Sequence, residues 1–163
     1  MEIRKTRPDE LEVVLRIYAH GREIMRREGN PTQWGENRPA KELIVGDIEK
    51  GNSHVAVENG KIVGVFAFII GRDPTYDYIE DGEWLNDEEY GTIHRIASTE
   101  EAHGILSTAV EYCGKRVGNI RIDTHKDNAI MRHLTEKLGF TRCGIIYVDD
   151  GTARIAYQKI SNR

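Results

Sequence analysis

The segment from residue 90 to residue 140 alternates strand and helix patterns, and this alternation most constrains the fold. Hydrophobic periodicity predicts strands over residues 92–98 and 119–124 and helices over about 103–117 and 128–138. In an open α/β sheet, ligands bind at the carboxyl ends of strands, where helix N-termini present free N–H groups. Two such helix starts follow two successive strands, so the segment predicts a site for a phosphorylated or amide-rich ligand.

The rest of the chain adds mainly antiparallel strands. Asn59-Gly60 separates two apolar runs, and this dipeptide is favoured in a two-residue type I′ hairpin. The second run, over 61–70, is apolar on both faces and predicts a strand in the middle of a covered sheet. An edge strand at 2–6, two helices before the hairpin and a closing hairpin over 141–159 complete the prediction. The expected fold is α/β: a mixed, mostly antiparallel sheet of about seven strands, flanked by about four helices, in one domain spanning 1–163.

Charge and cysteine usage exclude several classes of protein. The net charge of −4 and the pI near 5.9 argue against nucleic acid or an anionic membrane as a partner. The longest apolar run, over 62–70, is too short to cross a bilayer, and the first residues carry no apolar signal-peptide core. Cys113 and Cys143 form neither a metal-ligand pattern nor a disulfide framework. We therefore expect reduced thiols in a cytoplasmic protein, with no metal site.

The order of elements and the residues of the second half resemble the GNAT superfamily of acetyl-CoA-dependent N-acetyltransferases. The resemblance spans nearly the whole chain and is densest at 93–97 and 121–128, continuing through Met131 to Gly139-Phe140. It implies acetyl-CoA as cosubstrate and direct attack by a primary amine in a ternary complex. Two alternatives stay open: a fold that binds CoA or regulates without turnover, and a domain that serves as an interaction surface. By analogy with the fold, a homodimer is also expected.

The resemblance implies a CoA site with one departure. Family members usually carry Arg/Gln-x-x-Gly-x-Gly/Ala before the helix, whereas this loop is about two residues short and lacks the Arg or Gln. Gly104 matches the first glycine of this motif, and its alternative role is a glycine that only starts the helix. Leu106 stands at the position of the second glycine, where its β-carbon takes space that the family leaves open for a phosphate. Asn128 matches the asparagine that bonds the pantetheine arm, and its alternative role is a helix cap. The implied cofactor-binding residues are Ile96, Ala97, Ser98, His103, Gly104, Ile105, Leu106, Ser107, Asn128 and Met131.

The catalytic residues follow less directly from the resemblance. The usual tyrosine acid is replaced by Thr135, whose hydroxyl is too weak an acid, so the thiolate takes its proton from Tyr147, Tyr157 or water. His94 lies where some family members have a general base, and imidazole titrates in the required range. The alternative is a hydrogen-bonded core histidine. Strand alternation predicts that His94 shares a face with Thr92, Ile96 and Ser98.

The acceptor side is predicted from an acidic segment and from aromatic residues. Residues 76–90 contain seven acids and no lysine or arginine, which would attract a cationic amine, although such clusters are commonly solvated loops. Asp123 and His125 end a strand at the expected cleft. The Asp123 carboxylate could orient an imidazole or pair with Arg95 or Arg121, and structural pairing is the favoured role. The acceptor candidates are Trp34, Glu83, Trp84 and His125, and the acceptor is expected to be a small-molecule amine.

Overall fold

The computed structural model describes residues 1–160, and its elements match the predicted order. The described residues form seven strands and four α-helices, which confirms the predicted α/β class. The single domain over 1–163 stays a prediction, and residues 161–163 lie outside the described part. The elements are β1 (Glu2–Lys5), α1 (Leu11–Arg27), α2 (Lys41–Glu49), β2 (Ser53–Glu58), β3 (Lys61–Ile70), β4 (Gly91–Ser98), α3 (Ile105–Gly114), β5 (Asn119–Thr124), α4 (Ala129–Lys137), β6 (Thr141–Tyr147) and β7 (Ala153–Ile160). Short 3₁₀ turns lie at Pro8–Glu10 and Pro74–Tyr76.

The seven strands form one sheet in the order β1-β2-β3-β4-β5-β7-β6. All neighbours are antiparallel except β4 and β5, which run parallel. That parallel pairing extends over two residue pairs, Gly91 with Ile120 and Thr92 with Arg121. Since β4 continues to Ser98, the two strands separate towards their carboxyl ends. The separation opens the sheet at the edge where the sequence predicted a ligand site.

A bulge in β4 reverses the alternation of its side chains. The register with β3 shifts between Val65 and Ala67, so Arg95 and Ile96 together oppose Phe66. Arg95 adopts φ +54°, a left-handed conformation that is uncommon outside glycine. The bulge makes the prediction that His94 and Ile96 share a face wrong, because alternation was counted through a strand assumed to be regular.

Both faces of the sheet are covered near the opening. One face carries α3 over an apolar cluster that includes Phe66, Ile93 and Leu106, and Ile96 packs against it. The other face carries α1 and α2 over Val55, Val65 and Ala97, among others. Apolar clusters therefore cover both faces of β3, as predicted for a strand in the middle of the sheet. In residues 1–160, no helix has the length and apolar character needed to cross a bilayer.

Candidate active site

Two adjoining cavities lie where β4 and β5 separate. The first, of about 370 Å³, extends to the start of α3 and is called the α3 cavity. The second, of about 360 Å³, extends to Arg154 on β7 and is called the β7 cavity. Both are lined by Met25, Trp34, Ile96, Asn128 and Met131. A ligand in one cavity would therefore meet a ligand in the other between these shared side chains.

The structure brings together nine of the ten residues predicted to bind CoA. The exception is Ser107, which is exposed in the first turn of α3 and does not line the cavity. The nine that line the α3 cavity are Ile96, Ala97, Ser98, His103, Gly104, Ile105, Leu106, Asn128 and Met131. Their convergence agrees with the resemblance, and their contact with a cofactor stays a prediction.

The start of α3 presents backbone N–H groups to the α3 cavity. Gly104 caps the helix at φ +76°, and the first helical bond runs from the Thr108 N–H to the Gly104 carbonyl. The N–H groups of residues 105–107 precede that bond and are available to an anion. A β-carbon on Gly104 would meet nothing within 4 Å, so glycine is required here by its backbone conformation. The Leu106 side chain is buried in the core cluster, where it packs with Phe66.

The charge of the α3 cavity is unusual for a site that would hold phosphates. None of its lining residues is lysine or arginine, and Glu28 and Asp127 are acidic. His103 is exposed and is the one lining side chain in this loop that could donate to an oxyanion. An anion in this cavity would therefore depend mainly on the backbone N–H groups of α3.

Polar side chains at the other end of the α3 cavity form a small network. Gln33 Oε1 accepts from Asn30 Nδ2 at 2.9 Å and from Asn128 Nδ2 at 3.1 Å. Asn128 Oδ1 accepts the Met131 N–H at 3.1 Å, which is the helix-cap role considered as its alternative. Asn30 is buried, and its Oδ1 has no hydrogen-bond partner within residues 1–160. Because Asn30 also lines the cavity, it offers an acceptor to a ligand that carries an amide N–H.

Trp34 lies at the junction of the two cavities. Its ring meets Tyr18 edge-on, with ring centroids 5.7 Å apart. A β-carbon on Gly21 would lie 3.0 Å from the Trp34 ring and 3.2 Å from the Ala97 β-carbon. Glycine in α1 therefore allows the indole to pack closely against the helix, and Trp34 is suitably located for its predicted contact with the acceptor.

His94 lines the β7 cavity and is oriented by a carboxylate. Its Nε2 lies 2.9 Å from Asp73 Oδ2, while Asp73 Oδ1 accepts from the N–H and the hydroxyl of Thr75 at 3.0 and 2.8 Å. Burial raises the pKa of Asp73, but the hydrogen bonds from His94 and Thr75 outweigh it and lower that pKa to about 2. Asp73 is therefore ionised at neutral pH and holds the ring in place. Sequence reasoning missed Asp73, although the Asp-Pro-Thr run is a local signal for a capped turn.

Asp123 also lines the β7 cavity, and its partner differs from the predicted one. Asp123 Oδ2 accepts the Tyr76 hydroxyl at 2.6 Å, where pairing with an arginine was expected. Tyr76 is fully buried, and burial together with Asp123 raises its pKa well above its ordinary value. The hydroxyl thus stays protonated and fixes the carboxylate beside the cavity. The Tyr76 ring centroid lies 6.1 Å from that of His94.

Comparison with known proteins identifies the family. A GNAT-family acetyltransferase from Streptococcus agalactiae is similar over 99% of this chain and 96% of its own, with 32% sequence identity and a TM-score of 0.90. This chain belongs to the GNAT family of acetyltransferases. No protein-family model matches the sequence, and no curated protein matches it.

Two more distant structures share the GNAT fold. A putative acetyltransferase from Staphylococcus aureus has 24% identity and a TM-score of 0.67, covering 98% of this chain and 99% of its own. A NatC complex bound to Gag peptide and CoA has 14% identity and a TM-score of 0.65, covering 99% of this chain and 100% of its own. At these identities the likeness shows the fold alone.

The two tyrosines considered as proton donors of this GNAT acetyltransferase lie away from both cavities, and so does Thr135, which was not expected to act as an acid. Tyr147 is exposed on β6, where its hydroxyl bonds Glu80 and its ring stacks with Tyr78. Thr135, at the usual tyrosine position, is fully buried and lines neither cavity. Tyr157 is buried in the α3 face of the core. The geometry supports none of these three hydroxyls as the proton donor.

Three acceptor candidates of the GNAT enzyme also fail to line either cavity. Glu83 is exposed, and Trp84 anchors its loop by donating from Nε1 to the Tyr76 carbonyl at 2.8 Å. The Trp84 ring also covers the Arg121 guanidinium at 4.0 Å. His125 Nδ1 accepts the Asp127 N–H at 3.0 Å, and its Nε2 lies 3.3 Å from the Thr32 hydroxyl. Trp84 and His125 therefore have structural roles, because their ring nitrogens already form hydrogen bonds with neighbouring residues.

Proposed function

We propose that this GNAT acetyltransferase moves an acetyl group from acetyl-CoA to a primary amine by direct attack in a ternary complex. The observation that carries the proposal is the junction of the two cavities at Trp34, Ile96 and Met131. One cavity ends at free backbone N–H groups, and the other contains His94 fixed by Asp73. Two reactants held at one junction need no covalent enzyme intermediate, and their proximity supplies much of the rate.

Acetyl-CoA fits the α3 cavity by its donor and acceptor groups, and it would supply the acetyl group as a thioester. Ile105 and Leu106 would hold its pyrophosphate through their backbone N–H groups, and Asn30 Oδ1 would accept from a pantetheine amide. A neighbour of the same fold, the NatC complex, was solved with CoA, which supports this choice of cosubstrate. The lack of a lysine or arginine in the lining predicts weaker binding than a site with charged phosphate ligands would give.

His94 would remove the proton from the attacking amine. Its Nε2 donates to the ionised Asp73, so Nδ1 is the basic nitrogen; it has no hydrogen-bond partner among residues 1–160. A backbone N–H in the stretch Ile96–Ser98, past the bulge, would stabilise the oxyanion of the tetrahedral intermediate.

The atoms and electrons of the transfer balance with water as the acid and no acidic side chain. The amine lone pair forms the C–N bond, the C–S bond breaks with its electron pair leaving on sulfur, and the amine proton passes to His94. A thiol has a pKa of about 8.5, so the thiolate leaves readily and takes a proton from water. This route needs no contribution from Tyr147, which lies outside the cavities.

The proposal is tested by thiol release from acetyl-CoA across a panel of primary amines. Turnover with at least one amine, lost in His94→Ala, is the expected result. Saturable binding of acetyl-CoA without release from any amine would contradict the proposal and favour a binding or regulatory module.

Two further predictions concern the cell and the assembly. Cys113 and Cys143 are both buried and unpaired, which supports action in a reducing compartment such as the cytoplasm. The expected homodimer rests on analogy with the fold, and light scattering of the purified protein checks it.

A further inference from the structure

We infer that the β7 cavity selects amines that also carry an oxyanion, either a carboxylate or a phosphate, a few bonds from the nitrogen. The inference rests on the proposed function and names the acceptor class of the same site. It starts from a buried cation on the cavity wall that the transfer chemistry does not use.

That cation is Arg154, which lacks a counter-ion within residues 1–160. Its residue is 6% exposed, and it lines the β7 cavity. Nη1 donates to the Thr152 hydroxyl at 2.9 Å and to the Ala153 carbonyl at 3.0 Å, whereas Nε and Nη2 have no hydrogen-bond partner in the described part of the chain. No carboxylate of the same residues forms an ion pair with Arg154. A guanidinium stays charged in proteins, so its free donors are suited to a ligand oxyanion.

The electrostatic surroundings agree with this role for Arg154. Burial lowers its pKa, while the charges of Asp123 and Asp150 raise it. Burying a cation without a partner is costly, and a bound anion would remove that cost. Arg38 adds a second cation at the mouth of the same cavity, where it forms an ion pair with Asp150 at 3.0 Å.

The opposite charge lies close by on the same face of the sheet. Asp123 pairs with Ala156 across β5 and β7, and Arg154 is two residues along from Ala156. Side chains in such diagonal positions are about 7–8 Å apart. A ligand whose amine lies by His94 and Asp123 could therefore direct an oxyanion to Arg154. An amino acid or a small amino-phosphate, with a hydrogen bond of about 3 Å at each end, would span this distance.

The acidic segment over 76–90 does not change this assignment. Asp77 is paired with Arg72, and Glu80 accepts from the hydroxyls of Tyr78 and Tyr147. None of the acids in this segment lines the β7 cavity. The acidic segment therefore adds no negative charge to the wall of the β7 cavity and does not favour a cationic amine there.

The test compares matched amines with acetyl-CoA held at saturation. Phenylalanine is paired with phenethylamine, leucine with isoamylamine, and 2-aminoethyl phosphate with ethanolamine. We expect kcat/KM to be about 10- to 100-fold higher for at least one anionic member, as charge-assisted hydrogen bonds would give. The amino-acid pairs and the phosphate pair show which oxyanion is preferred.

Variants show whether Arg154 produces the preference. Arg154→Gln should reduce the ratio of anionic to neutral kcat/KM by about 10-fold or more, and Arg154→Lys should keep part of it. Arg142→Gln, which changes an exposed arginine on β6, is the matched control and should keep the full ratio. If Arg154→Gln fails to fold, as circular dichroism would show, Arg38→Gln should lower the ratio by about 2- to 5-fold instead.

Each result decides between the two proposals. An equal rate for both members of every pair, or faster turnover of the neutral amines, overturns this inference and leaves the acetyltransferase proposal standing. If no amine is turned over, calorimetric titration of the wild type with the same anionic amines decides, and absence of binding overturns the inference. Failure of acetyl-CoA itself to bind is a separate result, which contradicts the proposed function.

Discussion

His94 Nε2 lies 2.9 Å from Asp73 Oδ2, so a residue from the loop after β3 fixes the ring of a residue in β4. The two side chains are about one-fifth exposed, and Thr75 holds the second carboxylate oxygen. Asp73 thereby determines which ring nitrogen carries the proton. The acetyl-transfer proposal depends on this pair, because it makes Nδ1 the base.

Replacing His94 should affect turnover far more than it affects binding. We expect His94→Ala to lower kcat by about 10²- to 10⁴-fold with little change in acetyl-CoA affinity, since a general base acts in the transition state. Asp73→Asn should also lower kcat, because an amide at this position can place the proton on the wrong nitrogen of the retained ring. His133→Ala, an exposed histidine on α4, is the control for steady-state kinetics. Full activity of His94→Ala at pH 7 would remove His94 from the mechanism.

The Asp73 carboxylate should contribute stability that depends on pH. Its folded pKa of about 2 lies below the ordinary value of 3.8, so ionisation favours the folded state. The contribution, on the order of 2 kcal/mol, is present above pH 4 and is lost as the pH falls towards 2. Urea unfolding of wild type and Asp73→Asn at pH 7 and pH 3.5 should show a gap that shrinks at the lower pH. A gap that widens on acidification would be inconsistent with this assignment.

The bulge in β4 should depend on an ion pair. Asp47 on α2 is buried and accepts from Arg95 Nε at 3.0 Å and from Arg95 Nη2 at 2.9 Å. Asp47→Ala leaves this guanidinium without its partner and should lower the free energy of unfolding by about 3 kcal/mol. Glu49→Ala, an exposed acid on the same helix, should change it by less than about 0.5 kcal/mol. Equal effects of the two variants in chemical denaturation would show that the pair does not stabilise the bulge.

Two helical glycines should respond in opposite ways to alanine. A β-carbon on Gly46 in α2 would meet no atom within 4 Å, so Gly46→Ala should stabilise the fold by about 0.5–1 kcal/mol through helix propensity. Gly21→Ala places its methyl 3.0 Å from the Trp34 ring, and crowding there should cost about 1–3 kcal/mol. We expect Gly21→Ala to lower the melting temperature, change the tryptophan fluorescence and reduce kcat/KM. A Gly21→Ala protein as active and as stable as Gly46→Ala would show that the junction tolerates movement of the indole.

Local sequence patterns predicted most of the fold, because turn residues and hydrophobic periodicity determine helices, strands and hairpins over only a few residues. Asn59 and Gly60 both adopt positive φ in the predicted hairpin, and the predicted bounds of β5 match the structure. The bulge in β4 could not be predicted in this way. Its positive φ occurs at Arg95, a residue with no local preference for it, and its partner Asp47 is 48 residues away.

The two cavities differed in how much the sequence revealed. Part of the α3 cavity is formed by a contiguous strand–loop–helix motif, and nine of the ten residues that the resemblance implied for CoA line the cavity, whereas its lining from α1 was not predicted. The β7 cavity is assembled from distant segments that contribute His94, Asp123 and Arg154. The acids around Trp84 were considered for the acceptor site because of their number. They line neither cavity, since charged residues in a loop are commonly placed there by contact with water.

Calorimetric titration of the wild-type protein with acetyl-CoA shows whether the α3 cavity binds this cosubstrate. We predict saturable binding to one site per chain, weakened in Gly104→Ala, because Gly104 has φ +76° at the start of the helix beside the α3 cavity. Gly60→Ala is the matched control, because Gly60 has φ +75° in a hairpin that does not line that cavity, and it should bind as the wild type does. Absence of binding at millimolar acetyl-CoA would contradict the account and mark this chain as a GNAT fold without its cosubstrate.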